Sequence, residues 1–270
     1  MGLAVHHLDC ATMCPVGARW LNESRRMVAH CLLVEAPSAG LVLVETGLGL
    51  DDVSDAPRRL GRAFTTIVRP GTDRARTAVE QVRSLGFDPA DVRHIIVTHL
   101  DLDHAGGLGD FPDATVHVHG DELAASRRPL LRERSRYRAN QWAHGPNWAT
   151  FGSGGEEWYG FPAVRDLVGL PPQILAIPLP GHSRGHSAVA VESDRGWLLH
   201  CGDAYFHEST VDSSRAPAGP MLRLFENAVA LDRARVRDNH RRLAELHARA
   251  GGEIGIFSAH DPAEFERLCA

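Results

Sequence analysis

Lysine is absent from this chain of 270 residues, so all 29 of its basic side chains are arginine. Against 34 acidic residues they leave a formal net charge of -5, which excludes a broad surface for nucleic acid or anionic membrane. Cysteine is scarce and odd in number. Cys10, Cys14, Cys31, Cys201 and Cys269 lack the paired spacings of a zinc ribbon or a disulfide framework, which points to a reducing cytoplasm. Cys10 and Cys14 have no second pair to complete a metal site and read as packed thiols. No apolar run approaches the ~20 residues that span a bilayer, and the first residues lack the basic start and apolar stretch of a signal peptide. Repeats, linkers and low-complexity stretches are missing too, so residues 1–270 are expected to form one domain.

What the chain does have is 43% hydrophobic residues, arranged as short β-branched runs separated by helical patterns. Residues 29–35 and 41–45 read as a hairpin joined by Ala36-Pro37-Ser38-Ala39-Gly40, its second strand ending in Glu45-Thr46-Gly47. Residues 51–71 read as loop with one short helix. Ala75, Ala78, Val79, Val82 and Leu85 predict a helix capped by Thr72 or Asp73 and stopped by Gly86, followed by a strand over 92–97. Further strands are expected over 114–119, 175–179, 188–191, 197–200 and 254–257, with one long helix over 227–250 and a last one capped by Asp261-Pro262. Alternating helices and strands predict a layered α/β fold.

Between them, residues 124–168 differ in composition. Arg127, Arg128, Arg132, Arg134, Arg136 and Arg138 give way to Trp142, Trp148, Phe151, Trp158, Tyr159 and Phe161. Interleaved basic and aromatic residues would suit single-stranded nucleic acid. Here the two classes are segregated, so the expectation is a solvated helix leading into an aromatic lid or substrate-pocket insertion.

The chemistry is concentrated in Thr98-His99-Leu100-Asp101-Leu102-Asp103-His104, where four metal-capable side chains fall within six positions after a predicted strand. Partners of the right type recur at later strand ends: His182 in Gly181-His182, Asp203 in Gly202-Asp203 and His260 in Ala259-His260. His99, Asp101, Asp103, His104, His182, Asp203 and His260 are seven donors, enough for two divalent ions sharing a carboxylate. His117 and His119 lie on one strand face and read as structural or solvated.

This constellation, in this order, resembles the metallo-β-lactamase superfamily over nearly the whole chain. The resemblance implies a four-layer αββα sandwich. It implies that His99 and His182 bind one metal ion, that Asp103, His104 and His260 bind the other, and that Asp203 bridges them. It also implies hydrolysis of a small ester, lactone or thioester by a metal-bridged hydroxide, with zinc as the usual metal. Asp103 is expected to steer a proton; Tyr205, two residues past the bridge, is either a hydrogen-bond donor to the oxyanion or a buried structural tyrosine, and His186 is either a support for the site or a packed histidine. Two departures stand out. Asp101 replaces the second histidine of the motif, and Glu45 stands where most members carry aspartate. A carboxylate at 101 would make the two-metal cluster neutral and favour harder ions such as iron or manganese. Three alternatives stay open: a di-iron oxidoreductase, since flavodiiron proteins carry an acidic residue at the position of Asp101; a nuclease; and a non-catalytic metal-binding protein. The expected partner is a small-molecule substrate, with no nucleic acid and no membrane, and the oligomeric state is open, a homodimer included.

Overall fold

The computed structural model describes residues 2–18, 24–164 and 166–270. Six strands, β1 (Ala4–Asp9), β2 (His30–Ala36), β3 (Gly40–Val44), β4 (Val92–Ile96), β5 (Thr115–His119) and β6 (Asn147–Phe151), form one sheet in that order. Its first three strands are antiparallel, and β3 to β6 run parallel. After a small hairpin of β7 (Glu156–Trp158) and β8 (Phe161–Ala163) comes a second sheet of β9 (Ile174–Pro178), β10 (Ser187–Ser193), β11 (Gly196–His200) and β12 (Ile254–Phe257), in the order β12-β11-β10-β9. The helices are α1 (Leu50–Ser54), α2 (Ala56–Arg59), α3 (Arg62–Ile67), α4 (Ala78–Ser84), α5 (Gly120–Arg127), α6 (Pro220–Val229), α7 (Arg233–Ala250) and α8 (Pro262–Cys269). No helix among the described residues is long and apolar enough to cross a membrane.

Side-chain alternation builds the layers. Successive residues of a strand point to opposite faces, so Leu33, Leu43, Ile95 and Val116 pack with Val79 and Val82 of α4 on one side of the first sheet. Leu32, Val34, Val42, Val44 and Ile96 point the other way and meet Ile174, Ala176, Val189 and Val191 of the second sheet. The outer face of that sheet, with Leu175, Ile177, Ala190 and Leu199, is covered by Leu243 and Leu246 of α7. Helix, sheet, sheet and helix are the four layers expected. Both sheets are buried on two faces, which is why these strands read as continuous apolar runs.

Several local expectations are corrected. The long helix expected over 227–250 is two helices, because the Asp232 side chain accepts from the N–H groups of Ala234 and Arg235 and starts α7 afresh. Residues 51–71 hold three short helices rather than one, and the helical turn at Arg74–Arg76 is separate from α4, with Asp73 capping the first. β1 was not expected because His6 and His7 interrupt its apolar pattern. In the 124–168 segment, of which Arg165 lies outside the described residues, the aromatic half forms strands: Phe151 joins the core between the sheets, and Trp158 and Phe161 join the core under α7.

Candidate metal centre

Sheet direction brings the site together. β3 and β4 are parallel, β11 and β12 are parallel, and β9 reverses twice through β10 to match β11. Glu45, His99, His182, Asp203 and His260 therefore leave their strands at C-terminal ends, where α/β sheets open crevices for ligands. The structure brings all seven predicted donors into one cluster. His99, His182 and Asp203 present ligand atoms within 4.8 Å of one another, and so do Asp103, His104 and His260. Asp203 joins the two groups: Oδ1 lies 3.1 Å from His260 Nε2 and 3.3 Å from His104 Nε2, while Oδ2 lies 3.5 Å from His182 Nε2. Asp101 Oδ2 lies 3.1 Å from His182 Nε2 and 3.6 Å from His99 Nε2.

Hydrogen bonds around the cluster decide which lone pairs face inward. His260 Nδ1 lies 2.7 Å from the Val28 carbonyl oxygen, which can only accept, so Nδ1 carries the proton. His104 Nδ1 donates to Glu45 Oε2 at 3.1 Å. Burial works against the Glu45 charge, but His104 outweighs it and holds the carboxyl below its ordinary pKa, so it serves as acceptor. The two Nε2 atoms, 3.3 Å apart, then face each other and Asp203 Oδ1 as bare lone pairs. That convergence repels itself unless a proton or a metal ion sits within it. Burial opposes protonation of His104, yet Asp203, Glu45 and Asp103 override it and lift its pKa well above the usual histidine value, another mark of a place that attracts positive charge. His99 Nε2, Asp101 Oδ1 and Asp203 Oδ1 are buried without hydrogen-bond partners. Buried polar atoms are rarely left so, and the donor set fits a divalent ion.

Three further groups hold the cluster in place. Glu45 sits in the left-handed region at φ 66°, a costly backbone for a non-glycine residue, and its Oε1 accepts the Thr98 N–H at 2.5 Å. It thus ties the end of β3 to the loop after β4. His186 Nδ1 donates to the Leu179 carbonyl, leaving Nε2 to accept the Asp203 N–H at 3.0 Å. Burial and His182 lower its pKa to about 3, so it stays the neutral acceptor this turn requires. Gly202 takes φ 52°, and a Cβ there would lie 2.6 Å from Thr98 Oγ1 and 2.7 Å from His186 Nε2, so only glycine fits. The third group, Glu122, has no sequence signal. Its buried carboxylate accepts from the Leu100 and Gly185 N–H groups, Ser183 Oγ and Tyr137 Oη, joining the His99 loop to the His182 loop. Arg136, read from sequence as part of a solvated helix, instead enters the cluster and donates to Asp101 Oδ2 at 2.5 Å.

Tyr205 is not brought to the cluster. It is fully buried, and its hydroxyl donates to Glu264 Oε1 at 2.8 Å, which gives the expected oxyanion contact no geometric support. Burial, with Asp261 nearby, raises the Glu264 pKa to about 8 from 4.5. A carboxyl that holds its proton more tightly folded than unfolded contributes stability at low pH that is lost as pH rises between those values. The melting temperature is expected to fall from about pH 5 to about pH 8, and Glu264→Gln, which is always neutral, to flatten that slope. His117 and His119 are structural: His117 Nε2 meets His94 Nδ1 at 3.0 Å, and His119 caps α5 through the Asp121 N–H. Cys201 is buried in the core beside the site.

The cluster forms one wall of a cavity of about 430 Å³. Asp101, Asp103, His182, Asp203 and His260 face it, and Met13, Met27, Phe64, Val68, Phe206, Phe225 and Val229 give it a largely apolar surface. From the 124–168 segment, Arg132, Ser135, Arg136 and Arg138 line it, and the aromatics after Arg138 do not. A larger cleft of about 720 Å³, lined by Arg132, Arg184, Arg233 and Arg235, contains none of the cluster.

Residues 25–243 match the model of the Metallo-beta-lactamase superfamily. A probable metallo-hydrolase of Mycobacterium tuberculosis is 44% identical over 260 residues, covering 96% of this chain and 80% of that protein. An N-acyl homoserine lactonase of Agrobacterium fabrum is 28% identical over 227 residues, covering 83% of this chain and 78% of that protein. Among solved structures, an N-acyl homoserine lactone hydrolase with the product N-hexanoyl-L-homoserine at its catalytic metal centre matches all of this chain and 98% of its own, with a TM-score of 0.73 at 21% identity. AidC, a dizinc quorum-quenching lactonase, covers 97% of this chain and 91% of its own, with a TM-score of 0.57 at 14% identity. At those identities the structural likeness is one of fold.

Proposed function

The chain belongs to the metallo-β-lactamase superfamily and is a metal-dependent hydrolase, and on that footing we propose that its substrate is a small lactone, ester or thioester carrying an apolar acyl group. The observation that carries this reading is the carboxylate and imidazole cluster set into the wall of a cavity whose remaining surface is largely apolar. The lactonase relatives support it; an oxidoreductase, a nuclease and a non-catalytic metal binder are not favoured by them.

Asp103, His104, His260 and Asp203 would hold one divalent ion, and His99, Asp101, His182 and Asp203 are the groups around a second position. Zinc is supported by the dizinc fold relative, and iron or manganese would be favoured only if Asp101 reached the ion. An ion bound there supplies Lewis-acid polarisation of the carbonyl and a lowered pKa for the attacking water. The chain's own residues do the rest. His186 fixes the Asp203 backbone, Glu45 and Val28 set the tautomers of His104 and His260, and Asp103, facing the cavity, passes a proton from the attacking water to the leaving oxygen. Phe206, Phe225 and Val229 exclude water around the acyl chain. We read the whole chain as one domain, with arginines of the 124–168 segment shaping the pocket, and the free thiols Cys14 and Cys269 on its surface as suited to the cytoplasm.

Metal-quantified protein assayed against lactone, thioester, phosphodiester and β-lactam panels tests this. Each methylene added to the acyl chain is expected to raise kcat/KM about fourfold until the cavity is full, from ~0.8 kcal/mol per buried CH₂. Turnover of phosphodiesters alone, or indifference to acyl length, would refute it.

A further inference from the structure

We propose that the guanidinium of Arg136 is the resident cation of the first metal position, so that the chain binds one divalent ion, among Asp103, His104, Asp203 and His260, rather than two. The proposal rests on reading the cluster as a hydrolytic metal centre. Arg136 Nη1 lies 2.5 Å from Asp101 Oδ2 and 2.8 Å from His182 Nε2, and Nη2 donates to the Val229 carbonyl at the end of α6. Only 11% of the Arg136 side chain is exposed.

Coordination needs lone pairs, and arginine offers none because it always donates. If His182 Nε2 accepts from Arg136, its lone pair is spent. If Nε2 instead carries a proton and donates to Asp101 at 3.1 Å, it has no lone pair there at all. In either arrangement His182 Nε2 has no lone pair to give a metal ion at this position, and Asp101 Oδ2, the oxygen turned toward His99 and His182, is the one Arg136 holds. What remains is His99 Nε2 and Asp203 Oδ2, 3.9 Å apart, and the unpartnered Oδ1 of Asp101, on a carboxylate whose charge the guanidinium already balances, so at most three donors face a position that already holds a positive charge. Among the described residues no arginine hydrogen bond reaches Asp103, His104 or His260, whose lone pairs stay directed inward.

Charge explains why Asp101 and Arg136 occur together. Aspartate at 101 adds a largely buried carboxylate to those of Asp103 and Asp203, and a charge so withdrawn from water needs a partner. Arg136 supplies it as a single positive charge already attached to the chain. A histidine at 101 would give the guanidinium no carboxylate to hold there.

Counting bound metal tests this without reference to activity. Wild-type protein is reconstituted with Zn²⁺, desalted and analysed by plasma mass spectrometry, with the number of tight sites checked by competition with a chromophoric chelator. One equivalent per chain is expected for wild type, rising to two in Arg136→Ala combined with Asp101→His. Should that variant fail to fold, Arg136→Met with Asp101→His keeps the aliphatic stem and carries the same expectation. Two tight equivalents in wild type, or one in the variants with native circular dichroism, would overturn the proposal. No metal in any of them would overturn the metal-centre reading with it.

Discussion

Asp203→Asn is expected to lower hydrolysis of the preferred lactone or ester about a thousandfold, the equivalent of ~4 kcal/mol in the barrier. The change is nearly isosteric, so the loss comes from chemistry and not from packing. Asp203 is the residue whose two oxygens serve both halves of the cluster, Oδ1 toward His104 and His260 and Oδ2 toward His182 and His99. An amide removes the negative charge and turns one oxygen into an NH₂ group. Facing the bare Nε2 lone pairs of His104 and His260, that group donates to them and takes the place of the ion. The variant should therefore keep its circular dichroism spectrum while its metal content falls, and chelator treatment of the wild type should reproduce the same activity loss, reversible on adding metal back. An Asp203→Asn protein with wild-type metal content and turnover would remove the cluster from the mechanism.

Glu122→Ala is expected to destabilise the fold by about 4 kcal/mol, because it leaves buried donors without an acceptor at about 1–3 kcal/mol each, less what water recovers. Four donors converge on this carboxylate: the Leu100 and Gly185 N–H groups, the Ser183 hydroxyl at 2.7 Å and the Tyr137 hydroxyl at 3.1 Å. Two of them belong to the loop that carries His182, and one to the loop that carries His99. Freed from each other, the loops should also bind metal about 10- to 100-fold more weakly. Urea unfolding of metal-free protein separates the first effect from the second, which a metal titration reads. A loss confined to metal affinity, with metal-free stability unchanged, would mean that water replaces the carboxylate.

Much of this was legible in the sequence, for identifiable reasons. The four layers follow from apolar runs that are too continuous for half-exposed strands, as in Leu32-Leu33-Val34 and Leu41-Val42-Leu43-Val44. The donors were legible because histidine and aspartate stand where apolar strands stop, and parallel strands bring those stops to one edge. Groups that act through tertiary contact left no such mark. Glu122 follows His119 in an ordinary helix start, and only the fold puts its carboxylate between two loops eighty positions apart in register but adjacent in space. Arg136 was hidden by its neighbours, since in a row of arginines nothing local singles out the one that turns inward. Tyr205 misled for the opposite reason. Closeness in sequence to Asp203 suggested a shared task, yet the chain turns at Gly202 and sends the phenol to Glu264.

The cluster draws on both sheets, and one of its close pairs, His104 and His260, is 156 residues apart along the chain. Contacts of that span form late in folding, after the entropy of closing so long a loop has been overcome. A partly folded chain can present the whole of the segment from His99 to His104 and still gather no ion, because β12 has not yet docked beside β11 to deliver His260. Metal uptake by this protein is in that sense a clock: tight binding requires this long-range pairing, and should lag the appearance of secondary structure in a refolding experiment.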